Sequence, residues 1–524
     1  MKTSTVALIA VGAVVTVGIG YAIYFDQKRR NDPEFRKRLS TVAPKTPPAT
    51  LAFPCISVPH PHPERERKRL LKVKKSEEEA FKNKAAESIS QALDEIANET
   101  FPVTNQDKEK LFVEEVAKGE ELAARGEEFY NEAAVSFFRA LKVYPSPVEL
   151  VMIYQKTVPE PVFNLVMAMM SLDVKRKQEL YYKVYPPAEM NVRIDELPEG
   201  VTDDGKQIIR RGLVATRDFD EGEVIYTEIP VVSALEPALE GQDFCNFCLK
   251  QIPASESTVT CSIGCEKVVY CSTDCEKKAV AQYHQYLCTS SLSLSSKEHE
   301  FATYATKNNV KYPGMIARFL ATMVYEETTK VPTGRDDEYN TWDHIERLRF
   351  LEVNPGPTEA LEIKLLKELL GPKVPGIDEF VTEERYLTLK GKLQYNAYGV
   401  ETVAEGEKTV PKSPEQHRNA RSTSPAHPLT GAALYRATSY LAHSCEPNTA
   451  VSFPRRTQEL ALVATRPIKQ GEELTTSYVQ VDSDGEPVRG HVERKKELAD
   501  AFRFKCACKR CEREEAAAAS SDRD

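Results

Sequence analysis

The spacing of the cysteines constrains this chain more than any other feature. Of the twelve, seven lie between Cys245 and Cys288, three between Cys506 and Cys511, and the others are Cys445 and Cys55. The first group, joined by one histidine, reads Cys245-x2-Cys248-x12-Cys261-x3-Cys265-x5-Cys271-x3-Cys275-x8-His284-x3-Cys288. Tight pairs of this kind read as zinc ligands and not as a disulfide framework. Eight soft or borderline donors in four pairs suit two tetrahedral zinc ions, and sites filled entirely by protein ligands are structural. Thiolate ligands need a reducing compartment, so the bulk of the chain is expected to face cytosol or nucleoplasm.

At 524 residues the chain predicts about three or four domains. A formal net charge of −9 excludes nucleic-acid binding by bulk electrostatics. Val6 to Phe25 is twenty residues without a charge, about 30 Å as a helix and enough to cross a bilayer core. Only Lys2 precedes it, whereas Lys28, Arg29, Arg30, Arg36, Lys37 and Arg38 follow. That asymmetry predicts a single-pass anchor over residues 1–30 with the C-terminal side cytosolic. A cleaved signal peptide fits less well, because the run is long, its end is aromatic and the positive charge follows it.

Residues 31–107 read as a linker. Thr41 to Pro63 carries seven prolines, a charged stretch from Glu64 to Lys84 follows, and Cys55 sits alone as a bystander thiol. From 108 to 185 the pattern is helical. Leu111, Phe112, Val116 and Leu122 form one apolar stripe closed by Gly126, and Ala133, Ala134, Phe137, Phe138 and Leu141 form a second that stops at Pro145-Ser-Pro147. Two such helices look like one tetratricopeptide unit, with the segments after Val148 packed against it. Gly119-Glu-Glu-Leu-Ala-Ala-Arg-Gly126, Val143-Tyr-Pro-Ser-Pro-Val148 and Gln155-Lys-Thr-Val-Pro-Glu-Pro-Val-Phe163 resemble the presequence receptor of the mitochondrial outer-membrane translocase. The resemblance implies placement in that membrane, other translocase subunits as partners, and a groove for amphipathic presequence helices lined by Phe112, Val113, Val116, Ile153 and Tyr154. Spacing alone would leave those five as core residues of a helical repeat.

Strand-and-turn patterning begins near residue 191. Arg211 to Ile225 alternates apolar and polar residues around a Gly turn and reads as a strand pair. Further on come Tyr440-Leu-Ala-His-Ser-Cys-Glu-Pro-Asn448, Gly471-Glu-Glu-Leu-Thr-Thr-Ser-Tyr478 and Phe504-Lys-Cys-Ala-Cys-Lys-Arg-Cys511. These three, in this order, resemble the SET-domain protein methyltransferases. Val269-Tyr-Cys-Ser-Thr-Asp-Cys275 and Gln282-Tyr-His-Gln-Tyr-Leu-Cys288 resemble a MYND finger.

The resemblance implies interleaved zinc sites: Cys245, Cys248, Cys271 and Cys275 on one ion, and Cys261, Cys265, His284 and Cys288 on another. Cys445, Cys506, Cys508 and Cys511 would hold a third. It also implies S-adenosylmethionine as methyl donor and a protein lysine as substrate, with Arg211, Gly212, Asn396, Ala442, His443, Tyr478 and Phe504 near the cofactor. Tyr478 would orient the attacking amine. Two positions depart from the pattern. Arg210 stands where a glycine is usual, and Ala442 stands where an asparagine amide reaches the cofactor, a loss worth roughly 1 kcal/mol.

The fold class expected is therefore multi-domain. A transmembrane helix and linker precede an all-α receptor domain (108–185), and an α+β, β-clip-like SET domain follows (190–240 and 394–480). A MYND finger (245–288) and a helical insert (289–393) interrupt it, and a zinc-binding tail (500–513) and a disordered end (514–524) close it. Competing readings are a receptor carrying an inactive SET–MYND scaffold, and a histone methyltransferase joined to the receptor by an erroneous gene model.

Overall fold

The computed structural model describes residues 87–521, except 103, 145–146, 202–204, 266–267, 290–295, 331–338, 403–420, 422–428, 480 and 482–489. The expected anchor, the proline-rich stretch and Cys55 lie outside the described residues. Among those described, no helix is long and apolar enough to cross a membrane. Described residues up to Gln178 form one compact unit, and those from Glu179 onward form another.

The first unit is all helix. Residues 87–97 (α1) are helical, which corrects the linker expectation at its far end. Ile89, Leu93 and Ile96 recur at helical spacing, and Leu93 and Ile96 enter the core. In α2 (Asn105–Arg125), the Thr104 hydroxyl accepts the Asp107 N–H at 3.2 Å, and Gly126, at φ 118°, lets the chain turn away. α3 (Tyr130–Val143) buries Ala133, Ala134, Phe137, Phe138 and Leu141. Gly119 sits where a Cβ would come within 3.0 Å of the Phe137 ring, so α2 and α3 approach closely because that residue has no side chain. α4 (Pro147–Thr157) adds Leu150, Val151 and Tyr154, and α5 (Glu160–Val184) adds Val162, Val166 and Met169.

The last turn and a half of α5 belongs to the second unit. Tyr181 is fully buried there, with its hydroxyl 2.7 Å from His344 Nδ1, and Arg211 stacks 3.7 Å over the Tyr182 ring. Strand β1 (Val192–Val201) pairs antiparallel with β2 (Gln207–Ala215). The stretch from Arg211 to Ile225 thus does not fold back on itself as expected. β3 (Val224–Glu228) leaves the Gly222 turn to pair with β11 (Leu460–Ala464), which also pairs with β10 (Thr449–Ser452). β2 is already paired with β1, and Leu460, Ala461 and Leu462, all fully buried, give Ile225 and Tyr226 an apolar partner instead.

A third sheet joins β4 (Val232–Leu235), β8 (Gly431–Leu434) and β7 (Tyr398–Val400). α8 (Tyr312–Thr329) packs on β4 and carries α10 (Glu383–Asn396) and α9 (Pro357–Leu370), with α7 (Ser296–Asn308) against α9, while α6 (Thr273–Ala279) belongs to the cysteine-rich region. The chain ends in α11 (His491–Phe502) and α12 (Lys509–Ser521). The end from residue 514, expected to be disordered, is therefore helical to Ser521. Ala516 to Ala519 favour helix, and Arg494 and Lys495 of α11 form ion pairs with Glu514 and Glu515.

Candidate active site and metal centres

Three short segments build the site. β9 (Ala442–His443) runs parallel to β12 (Thr475–Thr476), Ala442 opposite Thr475 and His443 opposite Thr476. Pro447 cannot donate a backbone hydrogen bond, and the Asn448 side chain makes the link beside it. Its Oδ1 accepts the Thr475 N–H at 2.8 Å, and its Nδ2 donates to the Glu473 carbonyl at 2.8 Å. The segment 440–448 is thereby fixed beside 472–478.

Tyr478 emerges from this junction into a buried aromatic group. Its hydroxyl donates to the Leu441 carbonyl at 2.5 Å, and its backbone N–H donates to His443 Nδ1 at 3.0 Å. The rings of Phe502, His443 and Phe504 stand 5.1, 5.4 and 6.2 Å from its own. Burial pushes the phenol well above the usual tyrosine range, with the Arg421 guanidinium pulling the other way. Tyr478 is thus neutral, with its one proton given to Leu441 and its oxygen left to accept from a partner, and it is a poor general base. His443 is pushed down to about 4 by burial. A neutral imidazole that accepts at Nδ1 carries its proton on Nε2, and Nε2 lies 3.3 Å from Cys445 Sγ.

The other expected cofactor residues divide. Phe504 faces His443 with ring centres 5.9 Å apart, and Ala442 is half-buried in β9. Asn396 is committed: its Nδ2 donates to the carbonyls of Arg349 and Lys392, and its Oδ1 accepts from Arg421. Arg211 is bound to Glu196 at 2.6 Å. Beside Gly212, Arg210 forms a two-point ion pair with Glu473 at 2.5 and 2.9 Å. A Cβ on Gly212 would stand 2.7 Å from Arg210 Nη1, so the close approach that the glycine allows is used by this pair.

S-adenosylmethionine fits the remaining features. The His443 and Phe504 rings offer apolar faces for a flat heterocycle, and the Thr476 hydroxyl is buried with no protein partner among the described residues. Sequence reasoning missed Arg421, which lies within a stretch legible only as a polar loop. It is fully buried, with its guanidinium 4.0 Å over the Tyr478 ring. No pattern in the sequence marks it.

The cysteines converge in three groups of four, each with its ligand atoms within 4.8 Å of one another. These are Cys245, Cys248, Cys271 and Cys275; Cys261, Cys265, His284 and Cys288; and Cys445, Cys506, Cys508 and Cys511. Sulfur separations include 3.6 Å for Cys248–Cys271, 3.9 Å for Cys261–Cys288 and 3.6 Å for Cys445–Cys511. A disulfide would need about 2.0 Å. A tetrahedron with Zn–S bonds of about 2.3 Å has edges near 3.8 Å. Burial pushes His284 down to about 4, which leaves its imidazole neutral, the form that binds metal. All three groups could hold zinc. Arg318 of α8 ties the first to the sheet, donating to the Asn246 and Ser233 carbonyls at 3.0 Å.

In the first unit, Val113 and Ile153 are 59% and 48% exposed, and Phe112 and Val116 are half-buried against the core. Tyr154 is buried, its hydroxyl 3.4 Å from the Phe137 carbonyl, because Leu150, Val151 and Tyr154 share the inward face of α4. Its side chain thus belongs to the core and does not line the expected groove.

The family model described as MAS20 protein import receptor matches residues 8–183, and the SET domain model matches residues 210–479. The mitochondrial import receptor subunit tom20 of Neurospora crassa is 35% identical over 168 residues, 32% of this chain and 79% of that protein. A SET and MYND domain-containing protein of Dictyostelium discoideum is 26% identical over 296 residues, 55% of this chain and 76% of that protein. The protein-lysine N-trimethyltransferase SMYD5 of Gallus gallus is 24% identical over 367 residues, 57% of this chain and 83% of that protein. With an import-receptor segment matched ahead of a SET segment on one polypeptide, the chain belongs to both the MAS20 protein import receptors and the SET-domain proteins.

Proposed function

We propose that the second unit is a protein-lysine N-methyltransferase using S-adenosylmethionine, carried on an import-receptor unit held at the mitochondrial outer membrane by residues 6–25. The observation that carries the enzymatic reading is the junction at Tyr478. There a buried phenol, the Leu441 carbonyl and the His443–Phe504 pair meet beside a four-thiol group.

The cofactor, when bound, supplies an electrophilic methyl group on a sulfonium. The chain's own residues do the rest. A free lysine has a pKa of about 10.4, and burial in the aromatic group around Tyr478 favours its neutral form. Tyr478 and the Leu441 carbonyl hold the amine on a fixed axis, and such positioning supplies several kcal/mol of the barrier reduction. Phe502 and Phe504 exclude water. Ala442, His443 and Phe504 would hold the donor directly, with Arg211, Gly212 and Asn396 acting through the segments they tie together. The two groups between Cys245 and Cys288, as a MYND finger, and the group of Cys445, Cys506, Cys508 and Cys511 would each hold a zinc ion, which would brace these walls.

In the receptor unit, a single tetratricopeptide-like pair presents Phe112, Val113 and Val116, and α4 presents Ile153, to the apolar face of a presequence helix, with other translocase subunits as neighbours. Residues 179–183 fall inside the import-receptor match yet pack in the second unit. That overlap supports a genuine single protein over two chains joined in error.

A second reading, a SET scaffold without activity, is favoured by Ala442 and by the Arg210–Glu473 pair beside Gly212. Calorimetry of S-adenosylmethionine with the full-length chain separates the two. Heat of binding that Phe504→Ala weakens supports the enzyme, and no heat from a protein with its metal bound supports the scaffold.

A further inference from the structure

The import-receptor match runs to residue 183, and its last residues are built into the second unit. They close α5, where Tyr181 and Tyr182 take different partners. Tyr181 is fully buried, with its hydroxyl on His344 Nδ1. Its ring stacks with Tyr185 at 5.3 Å and meets Tyr339 edge-on at 5.0 Å, and the Arg347 guanidinium lies 4.3 Å over it. Burial pushes His344 down to about 3, so its neutral imidazole can accept the phenol proton at Nδ1. Tyr182 follows, about 100° further round the helix, and fixing Tyr181 fixes where it points. The Arg211 guanidinium lies 3.7 Å over the Tyr182 ring, which meets the Tyr440 ring edge to face at 6.2 Å. The two hydroxyls are 3.5 Å apart, the limit of a hydrogen bond, so ring contacts carry the junction.

Both partners of Tyr182 lead to residues expected at the cofactor. Arg211 precedes Gly212 on β2. Tyr440 precedes Leu441, whose carbonyl takes the Tyr478 proton, and then Ala442 and His443 of β9. Arg211 is otherwise tied to Glu196, whose side chain is 59% exposed. An exposed ion pair holds geometry weakly, whereas a guanidinium seated over a ring is attracted by the ring itself. Tyr182 thus joins β2 to the turn Thr438–Tyr440 that feeds β9.

We propose that Tyr182 is a positioning residue of the cofactor site, acting through Arg211 and through its packing on Tyr440. The end of a helix matched to the import receptors then serves the methyltransferase. The proposal rests on the methyltransferase reading above and adds to it a residue outside the SET match at 210–479.

Calorimetry of S-adenosylmethionine with full-length, metal-bound variants tests it. Tyr182→Leu keeps apolar bulk and helix preference while removing the ring face and the hydroxyl. It should weaken binding about tenfold, the scale of a lost cation–ring contact shielded from water. Tyr182→Phe keeps the ring under Arg211 and should recover most of that loss. Arg211→Gln should weaken binding by a similar factor, and adding it to Tyr182→Leu should cost little more, because both remove one contact. Tyr182→Met takes the place of Tyr182→Leu if the latter fails to retain metal.

Loss with Tyr182→Leu, recovery with Tyr182→Phe and non-additivity with Arg211→Gln together support the proposal. Additive losses, or no recovery with Tyr182→Phe, overturn it, since a residue that only supports the fold acts independently of Arg211. Binding by wild type that Tyr182→Leu leaves unchanged removes the proposal and keeps the methyltransferase reading. No binding by metal-bound wild type removes both.

Discussion

The first unit closes over Phe137, Phe138, Val162 and Val166, whereas the region from Cys245 to Cys288 closes over seven thiols and one imidazole. The helical unit draws its stability from apolar area removed from water and needs no ligand. Among the described residues of the finger, the two strands, Val259–Thr260 and Val269–Tyr270, are two residues each, too short to hold without metal. One protein thus holds two kinds of architecture with separate sensitivities. The segment joining Cys445 to the tail shares the second kind, and the site at Tyr478 is built directly on it.

Metal removal should break this contrast most strongly. Structural zinc contributes on the order of 10 kcal/mol per site in small domains. A strong chelator should therefore unfold the finger and the tail and abolish cofactor binding while far-ultraviolet helicity of the first unit survives. Loss of that helicity as well would mean that the units do not differ in this way. The converse perturbation is Phe137→Ala, which should destabilise the first unit by about 3–5 kcal/mol in thermal or denaturant unfolding and leave metal content unchanged.

Tyr478→Phe should lower the turnover number by about tenfold to a hundredfold, the loss of one or two kcal/mol or slightly more of positioning, with little effect on cofactor affinity. A matching fall in cofactor affinity would show that the residue only supports the fold. The smallest effect expected is at the α2 cap, where Thr104→Ala should cost about 1 kcal/mol of first-unit stability.

How legible each region was in the sequence follows the same division. That these cysteines are metal ligands could be read from their close pairing, whereas which four share an ion, and the set completed by Cys445, came from the resemblance; the structure gathers the same three sets of four. The receptor helices were legible because burial on one face imposes a helical period, visible from Ala133 to Leu141. The misreadings have physical causes of the same sort. Residues 87–97 looked like the end of a charged linker because their short apolar stripe gains meaning only against Phe137 and its neighbours. Tyr154 was assigned to the groove by the resemblance, whereas its spacing alone pointed to the core, where the structure places it. The partner of β3 lies more than two hundred residues downstream, and strand pairing at that distance leaves no local trace. Arg421 was invisible for a related reason: charge and a proline-containing neighbourhood suggest solvent, and only the converging carbonyls of Tyr395, Ser439 and Leu441 show that the interior can receive it.

The most direct test of the central claim is transfer of a labelled methyl group from S-adenosylmethionine to lysines of mitochondrial-surface and cytosolic proteins by the purified full-length chain. Wild type and Tyr478→Phe would be compared at equal metal content. The account predicts labelled lysine with wild type and little or none with Tyr478→Phe. Equal labelling by Tyr478→Phe, or no labelling and no cofactor binding by any metal-loaded form, would contradict it.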